Sequence, residues 1–153
     1  MAISNAVTRV LLIILLTGVM ASCYSEKCLF VKNEFTIDNW NGSAPKHGVL
    51  YRYKKGSNFS VLEQKNEDDF YAEISSPDLG YPPYLIVRFT GYKKLPTNAD
   101  YKLVLDNKIQ YRFYGLKPGY VEQACLFSGG KVNQCDINNG MLSATSSCGE
   151  PVK

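Results

Sequence analysis

One histidine and one tryptophan stand in 153 residues, beside eleven tyrosines and seven phenylalanines. A single imidazole means that any Ser–His–Asp or Cys–His site would have to use His47. His47 lies in Ala44-Pro45-Lys46-His47-Gly48, which reads as an exposed loop ahead of a strand. The chain has no Gly-x-Ser-x-Gly elbow, and Gly56, Gly80, Gly91, Gly115 and Gly119 form no phosphate-cradling motif and read as turn residues. Glu67-Asp68-Asp69 does not fit an EF-hand and has no second acidic cluster to work with, so it reads as a solvated turn. Lys and Arg number 17 against 14 Asp and Glu, a formal +3, and they are scattered, which excludes a nucleic-acid surface of the usual kind. No linker, internal repeat or low-complexity block interrupts the chain. These absences leave no catalytic set, cofactor or metal site to propose. They point to one ordinary domain that is not an enzyme.

What is present begins with an address. Val10–Met20 is an eleven-residue, almost wholly apolar run behind Arg9, the only charged side chain of the first 22 residues. A membrane-spanning helix needs about 20 such residues, so the run fits a secretory h-region. Met20-Ala21-Ser22-Cys23 follows and looks like a bacterial lipobox, although Met20 stands where Leu is usual. Residues 1–22 are therefore read as a lipoprotein signal peptide, with Cys23 as the lipidated residue and 23–153 as a single domain. Cleavage by an ordinary signal peptidase, giving a secreted protein, is the alternative. By resemblance to Gram-negative lipoproteins, Tyr24 rather than Asp after the Cys favours the outer membrane over retention at the inner one, and a multiply acylated Cys suffices as an anchor.

Cysteine arithmetic agrees with export. Five Cys is odd; with Cys23 carrying lipid, Cys28, Cys125, Cys135 and Cys148 remain, enough for two disulfides in an oxidising compartment. These four lack the short spacings of metal sites. Three connectivities are open.

From Cys23 onward the pattern is short runs of Val, Ile, Phe and Tyr broken by Gly, Pro, Asn and Asp, the signature of strands and turns. Strands are expected at Cys28–Ile37, Val49–Lys54, Phe59–Gln64, Phe70–Ser75, Tyr84–Tyr92, Tyr101–Leu105, Lys108–Tyr114, Val121–Phe127, Lys131–Asp136 and Met141–Ser146. The expected fold is all-β: a disulfide-tied antiparallel β-sandwich or small barrel. Turns are expected at Asp106-Asn107, Gly129-Gly130 and Asn139-Gly140. A plain two-residue loop at Gly129-Gly130 sets Cys125 opposite Gln134. A three-residue loop with a Gly bulge sets it opposite Cys135, which would leave Cys28 for Cys148.

Tyr81-Pro82-Pro83-Tyr84 is a rigid aromatic loop. Tyrosine brings area at low entropic cost with a polar tip, although it is also simply a good strand residue. Tyr81, Tyr84 and His47 are the candidate partner-binding residues. Asn41-Gly42-Ser43 and Asn58-Phe59-Ser60 match the N-glycosylation sequon, which matters only in a eukaryotic source. In layout the chain resembles the small enterobacterial lipoproteins that act as type VI secretion immunity proteins. The shared features are a lipobox, an early Cys-bearing strand (Glu26-Lys27-Cys28-Leu29-Phe30), one β domain and a late Cys-bearing strand (Gln123-Ala124-Cys125-Leu126). The resemblance implies a periplasmic protein that neutralises a toxin by direct contact through loops on the sheet. A lysozyme-inhibitor-like lipoprotein and a structural envelope lipoprotein are the alternatives. Without Arg9 the chain is near charge balance and offers no steering toward basic lysozymes.

Overall fold

Alternation with a period of two carries directly into sheets. A computed structural model describes residues 28–67, 69–75, 82–91, 94–121, 124–137 and 142–152. Among them the chain is all-β. Its strands are β1 (Phe30–Lys32), β2 (Phe35–Asp38), β3 (Gly48–Lys54), β4 (Leu62–Asn66), β5 (Phe70–Ser75), β6 (Tyr84–Phe89) and β7 (Lys94–Pro96). After these come β8 (Ala99–Leu105), β9 (Ile109–Val121), β10 (Ala124–Val132), β11 (Cys135–Ile137), β12 (Leu142–Thr145) and β13 (Glu150–Pro151). One 3₁₀ turn, Ser146–Cys148, precedes β13.

The larger sheet has the order β11-β10-β9-β8-β3-β4, with β13 also beside β9; the smaller has the order β12-β2-β6-β5; β1 and β7 form a separate ribbon. All pairings are antiparallel except β12 with β2, which is parallel. The two sheets pack as a sandwich, and neither closes into a barrel. Their inner faces follow from alternation. On β8, Tyr101, Leu103 and Leu105 are buried and lie opposite Phe113, Tyr111 and Ile109 of β9. On the smaller sheet Phe35, Ile37, Leu85, Val87 and Phe89 are buried. The rings of Phe35 and Phe113 meet across the interface at 5.3 Å between centroids. Each such side chain removed from water contributes roughly 1.5–3 kcal/mol, so this layer is the main source of stability.

The turn at Asp106-Asn107 forms as read. Both residues take positive φ, 48° and 54°, and Lys108 N–H donates to Leu105 C=O at 2.9 Å. Asn and Asp tolerate that region, and the primed hairpin turns require it.

Three expectations are corrected. The run Cys28–Ile37 breaks at Asn33-Glu34, where the chain leaves β1, paired with β7, and enters β2, paired with β6. The buried Asn33 amide donates to Phe89 C=O there. Gly129-Gly130 is not a turn: β10 runs through it, absorbing register shifts against β9 between Phe127 and Lys131. A side chain on Gly130 would collide with Leu116, its Cβ 2.8 Å from Leu116 Cδ2, so close packing rather than turning explains that glycine. The chain turns instead at Asn133-Gln134, with Asn133 at φ 49°.

The disulfides follow from this register. Cys125 lies opposite Tyr120, and Cys135 opposite Val132. A bond between Cys125 and Cys135, which would have left Cys28 for Cys148, is therefore excluded. The observed pairs are Cys28–Cys125, with Cα atoms 5.1 Å apart, and Cys135–Cys148, 6.0 Å apart. The first ties the N-terminal segment to the β9–β10 hairpin across 97 residues; the second closes a short loop. Asn139-Gly140, the remaining expected turn, lies outside the described residues. The strands before and after it, β11 and β12, join different sheets instead of pairing.

Candidate functional site

Ion pairs stand on the outward faces of both sheets. On the smaller sheet the ions satisfy one another. Arg88 holds Glu34 at 2.8 Å and lies 3.7 Å from Glu73; Lys32 also binds Glu34 at 2.8 Å, and Tyr71 Oη donates to Glu73. Burial alone would raise the Glu34 carboxyl, but hydrogen bonds and charge from Lys32 and Arg88 outweigh it and hold the group below its ordinary range.

The outward face of the larger sheet is arranged differently. Strand register sets Lys65 of β4 opposite Tyr51 of β3, Tyr51 opposite Lys102 of β8, and Lys102 opposite Arg112 of β9. These four residues form one transverse row. The Lys102 ammonium sits 4.4 Å from the centroid of the Tyr51 ring and 5.8 Å from that of Tyr53, and Lys65 lies 5.9 Å from Tyr51. An aromatic chain runs beside the row. Tyr51 and Tyr53 are 6.4 Å apart, Tyr53 and Phe59 5.2 Å, and Phe59 and Tyr114 6.1 Å, the last two contacts edge-on. Arg112 lies 5.9 Å from the Phe59 ring and is paired with Glu150 at 2.7 Å. Lys65 is paired with Glu67, whereas among the described residues Lys102 has no carboxylate within ion-pair distance.

Two grooves flank this surface. One, of about 420 Å³, is lined by His47, Tyr51, Lys65, Val104 and Asp106 among others. Asp106 shapes its rim: Oδ1 accepts the backbone N–H groups of Lys46 and His47 at 2.9 Å each, and Asp106 N–H donates to His47 C=O. That carboxylate thus fixes the loop backbone and leaves the His47 ring exposed. The other groove, of about 520 Å³, is lined by Gly56, Asn58, Phe59, Asp100, Arg112, Tyr114 and Asn133 among others. Asn133 builds its floor. Its Oδ1 accepts from Arg112 N–H at 2.9 Å, its Nδ2 donates to Gln110 C=O and Cys148 C=O, and its own C=O accepts from Tyr114 Oη at 2.7 Å.

Of the residues singled out from sequence, His47 lies on this face. Tyr84 opens β6 in the other sheet and lines neither groove. Tyr81 and Cys23 lie outside the described residues, as does Asp68. Cys28, Cys125, Cys135 and Cys148 are all consumed in disulfides. Tyr51, Tyr53, Phe59, Lys102 and Arg112 were not foreseen. The alternation in Tyr51-Arg52-Tyr53 was a usable signal for two of them; the row itself depends on register between strands far apart in sequence. Among the described residues no group of three or more His, Cys, Asp or Glu side chains could hold a metal ion. Comparison of the chain with protein-family models, curated proteins and solved structures finds no match.

Proposed function

We propose that this chain is a non-enzymatic, exported binding protein, held at the periplasmic side of the outer membrane by lipid on Cys23. It neutralises a secreted toxin, of the kind delivered by type VI systems, by holding it against the outward face of the larger sheet. The observation that carries this reading is the row Lys65, Tyr51, Lys102 and Arg112 with its adjoining aromatic chain. Like charges placed directly opposite, as Lys102 and Arg112 are, cost a sheet stability. Tyr and Arg are enriched where proteins grip partners, because rigid rings bring area with little entropy to lose. Lys102, cushioned on rings and without a carboxylate partner among the described residues, suits an acidic patch on the partner. It suits a strongly basic lysozyme poorly. Two disulfides are compatible with the oxidising compartment that the leader implies.

The test is capture from the native host's envelope with the wild-type chain and with a Tyr51→Ala, Lys102→Glu variant, followed by mass spectrometry. One protein enriched by the wild type and lost by the correctly oxidised variant is expected. Recovery of no protein, or equal recovery by both, contradicts the reading.

A further inference from the structure

We propose that the groove floored by Asp100 is a socket for a basic side chain of the partner, a lysine or arginine entering beside the packed pair Phe59 and Tyr114. This rests on the larger sheet's outward face being the partner-binding surface.

Three observations converge on a cation. Asp100 is only 2% exposed, yet its carboxylate is incompletely paired. Oδ2 accepts from Gly56 N–H at 2.8 Å, while Oδ1 is buried with no hydrogen-bond donor and no cation within ion-pair distance among the described residues. A buried carboxylate oxygen without a donor is costly, and an incoming N–H of positive charge is the group that relieves it most. The one cation lining the groove, Arg112, gives Nη2 to Glu150 at 2.7 Å, and its buried Nε has no acceptor among the described residues. The lining therefore holds two carboxylates against one guanidinium.

The walls suit the same occupant. Phe59 and Tyr114 stand edge-on at 6.1 Å between centroids, and Phe59 already takes one guanidinium, that of Arg112, near its ring. Aromatic faces attract alkylammonium and guanidinium groups, the more so when these are partly desolvated. Phe59 and Asn58 hold left-handed backbone, φ 60° and 50°. Asn tolerates that conformation, but Phe keeps it only where its surroundings enforce it. At the mouth, Gly56 and Gly115 leave open space where a Cβ would point. The loop that carries Gly56 is held to Asp100 by that one hydrogen bond, while Lys55 pins its start to Leu116 C=O and Thr97 C=O; the Gly56–Phe59 part is what yields as the cation enters.

The test is an amide NMR titration of the oxidised chain with N-acetyl-arginine methylamide and N-acetyl-lysine methylamide, with the norleucine and glutamate analogues as controls. Saturable shifts at Gly56, Asp100 and Gly115 are expected with the basic compounds alone. Binding should weaken at least tenfold in Asp100→Asn, which keeps an oxygen for Gly56 N–H. Should that variant misfold, Phe59→Leu serves in its place with the same tenfold expectation. Absence of shifts with either basic compound, equal shifts with norleucine or glutamate, or undiminished binding by a folded variant overturns the socket. Capture of a protein by the sheet face without these shifts removes the socket alone. The shifts without any captured protein keep a cation site and remove the protein partner.

Discussion

Replacing Asn133, in the floor of the groove that Arg112 lines, should destabilise the protein strongly. The side chain is buried and joins three backbone groups: Arg112 N–H at 2.9 Å, Gln110 C=O at 3.1 Å and Cys148 C=O at 2.6 Å. Asn133→Ala leaves all three without that partner, and a buried group left unpaired costs about 1–3 kcal/mol. Water entering from the groove offsets part of this. The positive φ of 49°, which Asn tolerates better than Ala, adds roughly 1 kcal/mol. The expected loss is about 3–5 kcal/mol. With a urea dependence of about 1–3 kcal/mol per molar, the midpoint should fall by more than about 1 M, measured by circular dichroism with both disulfides intact. Asn133→Gly removes the φ cost and should recover about 1 kcal/mol relative to Ala. Asn133→Asp should be at least as damaging as Ala, because it turns a carboxylate toward two carbonyl oxygens. A midpoint within about 0.3 M of wild type for Ala, or a tolerated Asp, would refute the reasoning.

Four further outcomes are expected. Non-reducing peptide mapping should recover Cys28 linked to Cys125 and Cys135 linked to Cys148, and Cys135→Ser with Cys148→Ser should cost about 2–4 kcal/mol in thermal or urea unfolding. Phe113→Ala, which removes a fully buried ring packed on Phe35, should cost about 3–5 kcal/mol by the same assay. The Tyr111 hydroxyl is buried without a hydrogen-bond partner among the described residues, and burial pushes its ionisation up from 10.0 to about 12. The unfolded chain ionises first, so stability should fall as pH rises from 10.0 toward about 12. Tyr111→Phe should flatten that decline and leave neutral-pH stability unchanged or raised by about 1 kcal/mol. Glu34 has its folded pKa lowered, so its contribution is present above the ordinary value of 4.5 and is lost as pH falls through the lowered one. Acid unfolding curves of Glu34→Gln should lack that part of the pH dependence.

Much of the sandwich was legible because its signals are local. The β8–β9 hairpin could be read from alternation on both arms and from Asp106-Asn107, and Phe70–Ser75 forms a strand with the bounds its pattern suggests. The errors arise where long-range pairing overrides local chemistry. Cys28–Ile37 dips in β propensity at Lys32-Asn33-Glu34, and the exchange of partners from β7 to β6 breaks the strand there. Gly129-Gly130 carries a stronger turn signal than Asn133-Gln134, but tight packing against Leu116 claims Gly130, and the Asn133 side chain supplies the bonds that make its own turn. β7 and β13 escaped because each contains a proline, Pro96 or Pro151, which argues against a strand interior. The candidate surface was the least legible part. Tyr51, Lys102 and Arg112 are each an ordinary outward residue on their own strand; register makes them a row.

That row is best tested by site-specific photo-cross-linking in the native host. A photoreactive phenylalanine analogue would be placed at Tyr51 or Lys102 on the larger sheet's outward face, and at Tyr71 or Ile86 on the smaller sheet as controls. The account predicts one discrete protein adduct from the first pair of sites and none from the second. Adducts from the smaller sheet alone, or none from either face, would contradict it.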